Sequence, residues 1–329
     1  MGEKDERGVA RRVATWALRV GAWAALAGVA AVFAARQWGW ESGFSAYLVA
    51  MIPWLAAAVV VLLIVALFAR WWVEAGAAAV LAAIAAAWVG PLFTAAPHDG
   101  DPVMTVATVN MRFGEADPQQ IVDLVAEHGV DLLSVQELTP SAEAALREAG
   151  LDRYMQYSET HAGAAAVGTG LWSRYELHDA GLVVSLDFNT VRATVQAPGG
   201  EVTVFAAHPP PPVPGHHERW RQQIDGLREV SAATPGAVLI AGDINATVDH
   251  WPLRDILADG FVDAADQAGA GFLPTFPQER FAVALVPIDH VLTRDTDLVA
   301  TSVSTYAIEG ADHRAVVADF ALAPGSAGS

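Results

Sequence analysis

Apolar and polar positions divide this chain into two regimes. Up to about residue 96 the pattern is three long apolar stretches. The first, 13–35, is broken only by Arg19; the second, 47–69, carries no charge; the third, 75–96, is rich in alanine and holds Pro91 near its end. Each is about the length that crosses a bilayer. Trp38, Trp40, Trp71 and Trp72 fall at the expected ends, where aromatic belts form. The expectation is a basic segment at 1–12, three transmembrane helices over 13–96 and a linker at 97–102 built of turn formers.

From residue 103 the pattern becomes α/β. Apolar, β-branched runs at 103–109, 131–135, 169–173, 182–186, 191–196, 202–207, 237–241, 285–293 and 315–322 predict strands. Helical spacing appears at 118–128 and 216–231, and Thr139 or Ser141 can cap a further helix running to about 149. Pro198-Gly199-Gly200 predicts a hairpin turn. The small, polar tail at 323–329 is expected to be disordered.

Charge sharpens the division. The 329 residues carry a net charge of −18 and no cysteine, which excludes disulfides and thiolate metal sites. Residues 1–95 hold seven basic against five acidic side chains; the rest holds 12 arginines, no lysine and 32 acidic residues, a net −20. Such a surface repels a polyanion, which weighs against nucleic acid as the substrate. Lys4, Arg7, Arg11 and Arg12 precede the first apolar stretch. By the positive-inside rule they place the N-terminus in the cytoplasm. Three crossings then put the α/β domain outside, in a multi-pass protein of the cytoplasmic membrane.

The candidate chemistry collects at strand ends. Asn110, Glu137, His208, Asp243 and Asn245 each sit at or just past the C-terminal end of a predicted strand, where sheet proteins tend to place their sites. Asp243 and Asn245 are two apart, so on an extended chain both leave the same face. A carboxylate can take a proton from water while the amide holds an oxygen that gains charge, a pairing suited to phosphate hydrolysis. A glutamate and an asparagine at neighbouring strand ends offer oxygen ligands to a hard cation such as Mg²⁺. Asp289 lies in an apolar run and would be costly without a partner, which points to His313. His161, His178, His250 and His290 receive no role, and His216 and His217 open an exposed helix.

As an ordered set these motifs are recognisable. Asn110, Gln136-Glu137, Thr169-Gly170-Leu171-Trp172-Ser173-Arg174, His208-Pro209, Gly242-Asp243-Ile244-Asn245-Ala246, Ile288-Asp289-His290 and Asp312-His313-Arg314 occur in that order. The set resembles the endonuclease/exonuclease/phosphatase superfamily over about 103–322. That resemblance implies a four-layer α/β sandwich of the DNase I type and a phosphoesterase dependent on Mg²⁺ or Mn²⁺. Carried over by position, Glu137, Asn110 and Asp312 would hold the metal, with Asn110 and Arg174 also on the substrate. Asp243 would position or deprotonate the attacking water, Asn245 would hold the phosphate, and Asp289 would orient His313. His208 would contact the phosphate or the departing oxygen; the choice of base between Asp243 and His208 stays open. Alanine at 311 and tryptophan at 172 depart from the usual pattern.

Three apolar spans and the His-Pro-Pro-Pro-Pro stretch at 208–212 further resemble membrane-anchored, teicoplanin-resistance-associated members of the superfamily. This implies a lipid-linked pyrophosphate substrate such as undecaprenyl pyrophosphate, reached from the bilayer in cell-envelope metabolism, with no obligate protein partner. The alternatives are an extracellular nuclease, a sphingomyelinase-like phospholipase C, and a non-enzymatic envelope-binding module.

Overall fold

A computed structural model describes residues 2–94, 100–278 and 283–324, with side chains from Glu6 onward. Part of the predicted linker (97–99) and of the predicted tail (325–329) lies outside the described residues. The chain forms two compact units, Met1–Gly90 and Pro91–Ser329.

The first unit holds α1 (Gly2–Trp38), α2 (Phe44–Ala50), α3 (Ile52–Phe68) and α4 (Trp72–Val89). Two helical segments, Glu6–Trp38 and Trp72–Phe93, are long and apolar enough to cross a membrane. The second of the three expected spans differs from its prediction: α2 and α3 are bent by 68° at their junction. Pro53, at the start of α3, lacks an N–H and crowds the carbonyl four residues back, so the helix breaks at Met51. Val32, Phe33, Val49, Ile52 and Ala85 pack together inside the unit. Arg19 Nε donates to Glu74 Oε1 at 2.6 Å, tying α1 to α4.

The second unit is built on two six-stranded sheets. The first contains β1 (Met104–Asn110), β2 (Leu132–Gln136), β3 (Tyr157–His161), β4 (Thr169–Ser173), β11 (Leu298–Ala307) and β12 (Arg314–Leu322), in the order β11-β12-β1-β2-β4-β3. The second contains β5 (His178–Leu182), β6 (Val191–Ala197), β7 (Gly200–Ala207), β8 (Ala237–Asp243), β9 (Val262–Asp263) and β10 (Asp289–Arg294), in the order β5-β6-β7-β8-β10-β9. Alternation along the central strands explains the layers. Met104 and Val106 of β1 face Val204, Leu239 and Val291 of the other sheet. Ala107 and Val109 face outward onto α5 (Pro118–His128) and α6 (Pro140–Glu148). On the other side, Val238 and Ile240 pack under α7 (His217–Ala232) and α8 (Trp251–Ala258). Helix, sheet, sheet, helix is the four-layer sandwich expected; the short α9 (Ala264–Gln267) adds to it.

Two predicted strands are corrected. Residues 183–190 form a loop rather than a strand, because Ser185, Asp187 and Asn189 favour turns. Residues 285–288 stand outside β10: Val286 forms an isolated bridge with Phe276 and the Ile288 carbonyl accepts the Ile244 N–H; Pro287 has no N–H to give a ladder. Asp289 is therefore the first residue of β10, not an interior one. Buried polar groups cross between the sheets: Thr108 Oγ1 donates to Gln136 Oε1, Gln136 Nε2 to Ser134 Oγ, and Ser134 Oγ to the Ala241 carbonyl at 2.8 Å. This chain of bonds fixes the ends of β1, β2 and β8 relative to one another.

Candidate active site

Strand direction brings the predicted residues together. β1 and β2 are parallel, as are β7 and β8, so Asn110, Glu137, His208 and Asp243 end at one edge. β10 runs antiparallel to β8 and opens there, with Asp289 directly opposite Asp243. β12 runs antiparallel to β1, so His313, which precedes it, arrives at the same edge. Gly242 is required for this approach: a Cβ there would strike the Ala207 carbonyl of β7.

Asp243 is the centre of the arrangement and is buried. Its Oδ2 accepts from Asn110 Nδ2 at 3.0 Å and lies 3.5 Å from His208 Nε2 and 3.7 Å from His313 Nε2. Its Oδ1 accepts from the Asn245 N–H at 2.9 Å. Burial opposes the charge on Asp243, but His313, His208 and that N–H hold its carboxyl below the usual range. Asn245 sits at φ 53°, and its Nδ2 donates to the Pro209 carbonyl at 3.0 Å. Trp220, fully buried, donates its indole N–H to the Asn245 carbonyl at 3.0 Å.

His313 Nδ1 meets Asp289 Oδ2 at 2.9 Å. Burial works against the imidazolium, yet the carboxylates of Asp289 and Asp243 outweigh it and push His313 up to about 10. His208 Nδ1 faces the Ala166 carbonyl at 3.1 Å. A carbonyl only accepts, so Nδ1 carries the proton and Nε2 is the nitrogen turned to Asp243 and Glu137.

Among the described residues, Asp243, Asp289 and His313 form one group whose potential ligand atoms lie within 4.8 Å of one another. It is not the set the sequence predicted for a metal. With His313 Nδ1 on Asp289 Oδ2 at 2.9 Å, its geometry also fits an ion-paired relay. The predicted set has different features. Glu137 adjoins Asn110 (3.3 Å), and its other oxygen accepts the Phe113 N–H at 2.7 Å. Burial pushes the Glu137 carboxyl up, against the pull of His208 and that N–H. Asp312 Oδ1 is buried, with no hydrogen-bond partner among the described residues. The desolvated Glu137 carboxylate beside the Asn110 amide offers oxygen ligands to a hard divalent cation.

Arg174 is not brought to this edge. It follows Ser173, which pairs with Leu132 at the start of β2, whereas Thr169 pairs with Gln136 at the site end. Its Nη1 donates to Asp131 Oδ1 at 3.3 Å. The strand motif that carried Arg174 is an antiparallel partner of β2, so its last residue is farthest from Glu137. Trp172 is fully buried in the core beneath α6, and Ala311 is buried in the same cluster.

Several contributors were not visible in the sequence. The backbone groups of Phe113, Ala166 and Pro209 leave no side-chain signature. Gln278 Nε2 clamps the Ile308 and Ala311 carbonyls, at 2.8 and 2.6 Å, just before Asp312. His290 lies between Asp263 Oδ2 (2.6 Å) and the Ala246 carbonyl (2.9 Å); its adjacency to Asp289 was the available signal.

Residues 107–313 match the Endonuclease/Exonuclease/phosphatase family. Solved structures share the fold at low identity. An AP endonuclease from Archaeoglobus fulgidus is 17% identical, with TM-score 0.54 over 67% of this chain and 100% of its own. An endonuclease/exonuclease/phosphatase from Bacteroides vulgatus is also 17% identical, with TM-score 0.54 over 67% and 98%. D. rerio TDP2, complexed with a single-strand DNA product, is 15% identical, with TM-score 0.53 over 66% and 98%. No curated protein matches the sequence.

Proposed function

The chain belongs to the endonuclease/exonuclease/phosphatase family, and from that premise we propose a membrane-anchored, divalent-cation-dependent phosphoesterase that hydrolyses a lipid-linked phosphate or pyrophosphate. The observation that carries this reading is the convergence of Asn110, Glu137, His208, Asp243, Asn245, Asp289 and His313 at one sandwich edge, in a chain that begins with apolar helices. Glu137, Asp312 and Asn110 would hold Mg²⁺ or Mn²⁺. When bound, the cation neutralises charge on the phosphate.

The protein's own groups supply the rest. Asp243, ionised and fixed by Asn110 and Asn245, orients the attacking water and accepts its hydrogen bond. The imidazolium of His313, held by Asp289, stabilises charge that builds on the phosphate oxygens. Asn245 Nδ2, held by the Pro209 carbonyl, would exchange its longer 3.4 Å hydrogen bond to Asp243 for one to a phosphate oxygen placed beside it. His208, whose Nδ1 donates to the Ala166 carbonyl, turns Nε2 toward the phosphate or the leaving oxygen, to which it donates as the imidazolium.

The substrate follows from anchoring and charge. A tethered site meets lipid headgroups at high effective concentration, while a −20 surface without lysine disfavours a groove for DNA. Undecaprenyl pyrophosphate at the outer face of the cytoplasmic membrane is the natural candidate, in the envelope role of the teicoplanin-resistance-associated type. The test is phosphate release by the detergent-purified protein, with Mg²⁺ and with EDTA, from lipid pyrophosphate, phospholipid and DNA. Mg²⁺-dependent release from lipid pyrophosphate supports the proposal. Turnover of DNA alone identifies a nuclease, turnover of phospholipid alone a phospholipase C, and no turnover an envelope-binding module.

A further inference from the structure

Phe113 holds a backbone conformation that its own side chain opposes. Its φ is 56°, between Arg112 at 46° and Gly114 at 82°. A bulky residue in the left-handed region is an outlier, and such backbones cost on the order of 1–3 kcal/mol each. Glycine would adopt the same turn without steric cost. The next position shows this: Gly114 is glycine, and a Cβ there would strike Thr139 Oγ1.

The turn itself has a clear purpose. The Arg112 N–H donates to Asn110 Oδ1 at 2.8 Å, and the Phe113 N–H donates to Glu137 Oε2 at 2.7 Å. Two successive N–H groups thus hold two residues of the proposed metal set. That accounts for the backbone and not for the ring, since glycine offers the same N–H. Packing does not account for the ring either, because Phe113 is 53% exposed.

We infer that Phe113 determines specificity: its ring is an apolar platform beside the phosphate, for the hydrocarbon of a lipid-borne pyrophosphate. The inference rests on the function proposed above. The ring is within reach. With the nitrogen 2.7 Å from Glu137 Oε2, standard bond lengths put Cβ within about 5 Å of the carboxylate. Two other phenyl rings stand at this edge, and each is engaged with an imidazole. Phe188 meets His208 edge-on at 5.3 Å, and Phe276 lies tilted against His313 at 4.8 Å. Both are half-buried, so Phe113 is the ring of the three that a substrate chain can cover. A short-chain pyrophosphate has little to place there; a long isoprenyl chain has its first units.

The test compares isoprenyl pyrophosphates of increasing chain length in detergent micelles, using the full-length wild type, Phe113→Gly and Phe113→Leu. Phe113→Gly relieves the backbone, so its unfolding midpoint should equal or exceed the wild type's. Its KM for the longest chain should rise about tenfold or more, as loss of an apolar contact commonly gives. The ratio of its kcat/KM on the longest chain to that on the shortest should fall about tenfold, so discrimination by chain length collapses. Phe113→Leu should restore part of the discrimination. Equal losses on all chain lengths, or unchanged discrimination in Phe113→Gly, overturn the role of Phe113 alone. Absence of turnover on every isoprenyl pyrophosphate by the wild type overturns the proposed function instead.

Discussion

Asp289 and His313 are joined as a buried hydrogen-bonded pair. Asp289 is buried, and its Oδ2 meets His313 Nδ1 at 2.9 Å. A carboxylate on Nδ1 fixes the ring and keeps Nε2–H aimed at the site. Asp289→Asn should lower kcat about 10²-fold or more, as loss of a charge-stabilising group does, and His313→Ala at least as much. If the two work as a unit, the double variant is little worse than His313→Ala. Multiplicative losses in that cycle would show that Asp289 serves another partner. Glu137 offers a separate test. Glu137→Gln keeps the shape and one acceptor oxygen, gives up one of the two accepted hydrogen bonds and removes the charge, so activity should fall by orders of magnitude while the domain stays folded. EDTA should abolish wild-type turnover; turnover that survives EDTA would remove the cation from the mechanism.

At the scale of elements, what the pattern revealed depended on burial. β1, β4, β7 and β8 are buried on both faces and read directly as apolar runs. β10, an interior strand, begins four residues later than predicted, while the strands β3, β5, β9 and β11, which the pattern missed or misplaced, are the four sheet edges. Their half-exposed faces carry Glu159, Asp179 and Ser302, so no continuous run marks them. The site was legible for the same reason as the central strands, since its side chains follow those runs by one or two residues. Its supports were not, being carbonyls and N–H groups. His290 shows how one element steadies another. Both its nitrogens face acceptors, Asp263 Oδ2 and the Ala246 carbonyl, so both carry protons. Burial opposes that charge, but Asp263 and the carbonyl raise His290 to about 9. An unfolded histidine titrates near 6.5. The folded value is the higher one, so this stabilisation is complete below about pH 6.5 and is lost as pH rises through 9. At about 1.4 kcal/mol per pH unit it amounts to a few kcal/mol. Urea unfolding at pH 6 and pH 9.5 should show that loss in the wild type. A His290→Gln variant should be less stable at pH 6 and should lack that component of the pH dependence. An unchanged difference between the two pH values in His290→Gln would place the titrating group elsewhere.

For the whole molecule, the bend between α2 and α3 decides which side of the membrane the domain occupies. Glu6–Trp38 and Trp72–Phe93 are each long enough to cross, whereas the bent pair crosses only if its two helices together form one span. With an odd number of crossings the two ends of the chain lie on opposite sides; with the pair re-entrant they lie on the same side. Lys4, Arg7, Arg11 and Arg12 precede α1's apolar run, and the two following connections carry one arginine each, Arg36 and Arg70. The positive-inside rule therefore predicts a cytoplasmic N-terminus and leaves the bent pair to be tested. We propose that the pair traverses the bilayer. The uncharged stretch 47–69 can do so, because no side chain in it carries a charge that would hold it at the interface. A reporter active only outside the cytoplasm, fused after Ser329, should therefore be active, and a cytoplasmic reporter at the same position silent. The same pair of reporters fused in the loop between α1 and α2 should both read outside, and those fused after Arg70 should read inside. Signal from the cytoplasmic reporter at Ser329 would make the α2–α3 pair re-entrant. It would also put the active site on the cytoplasmic leaflet, where a lipid pyrophosphate would have to be presented from the inner face.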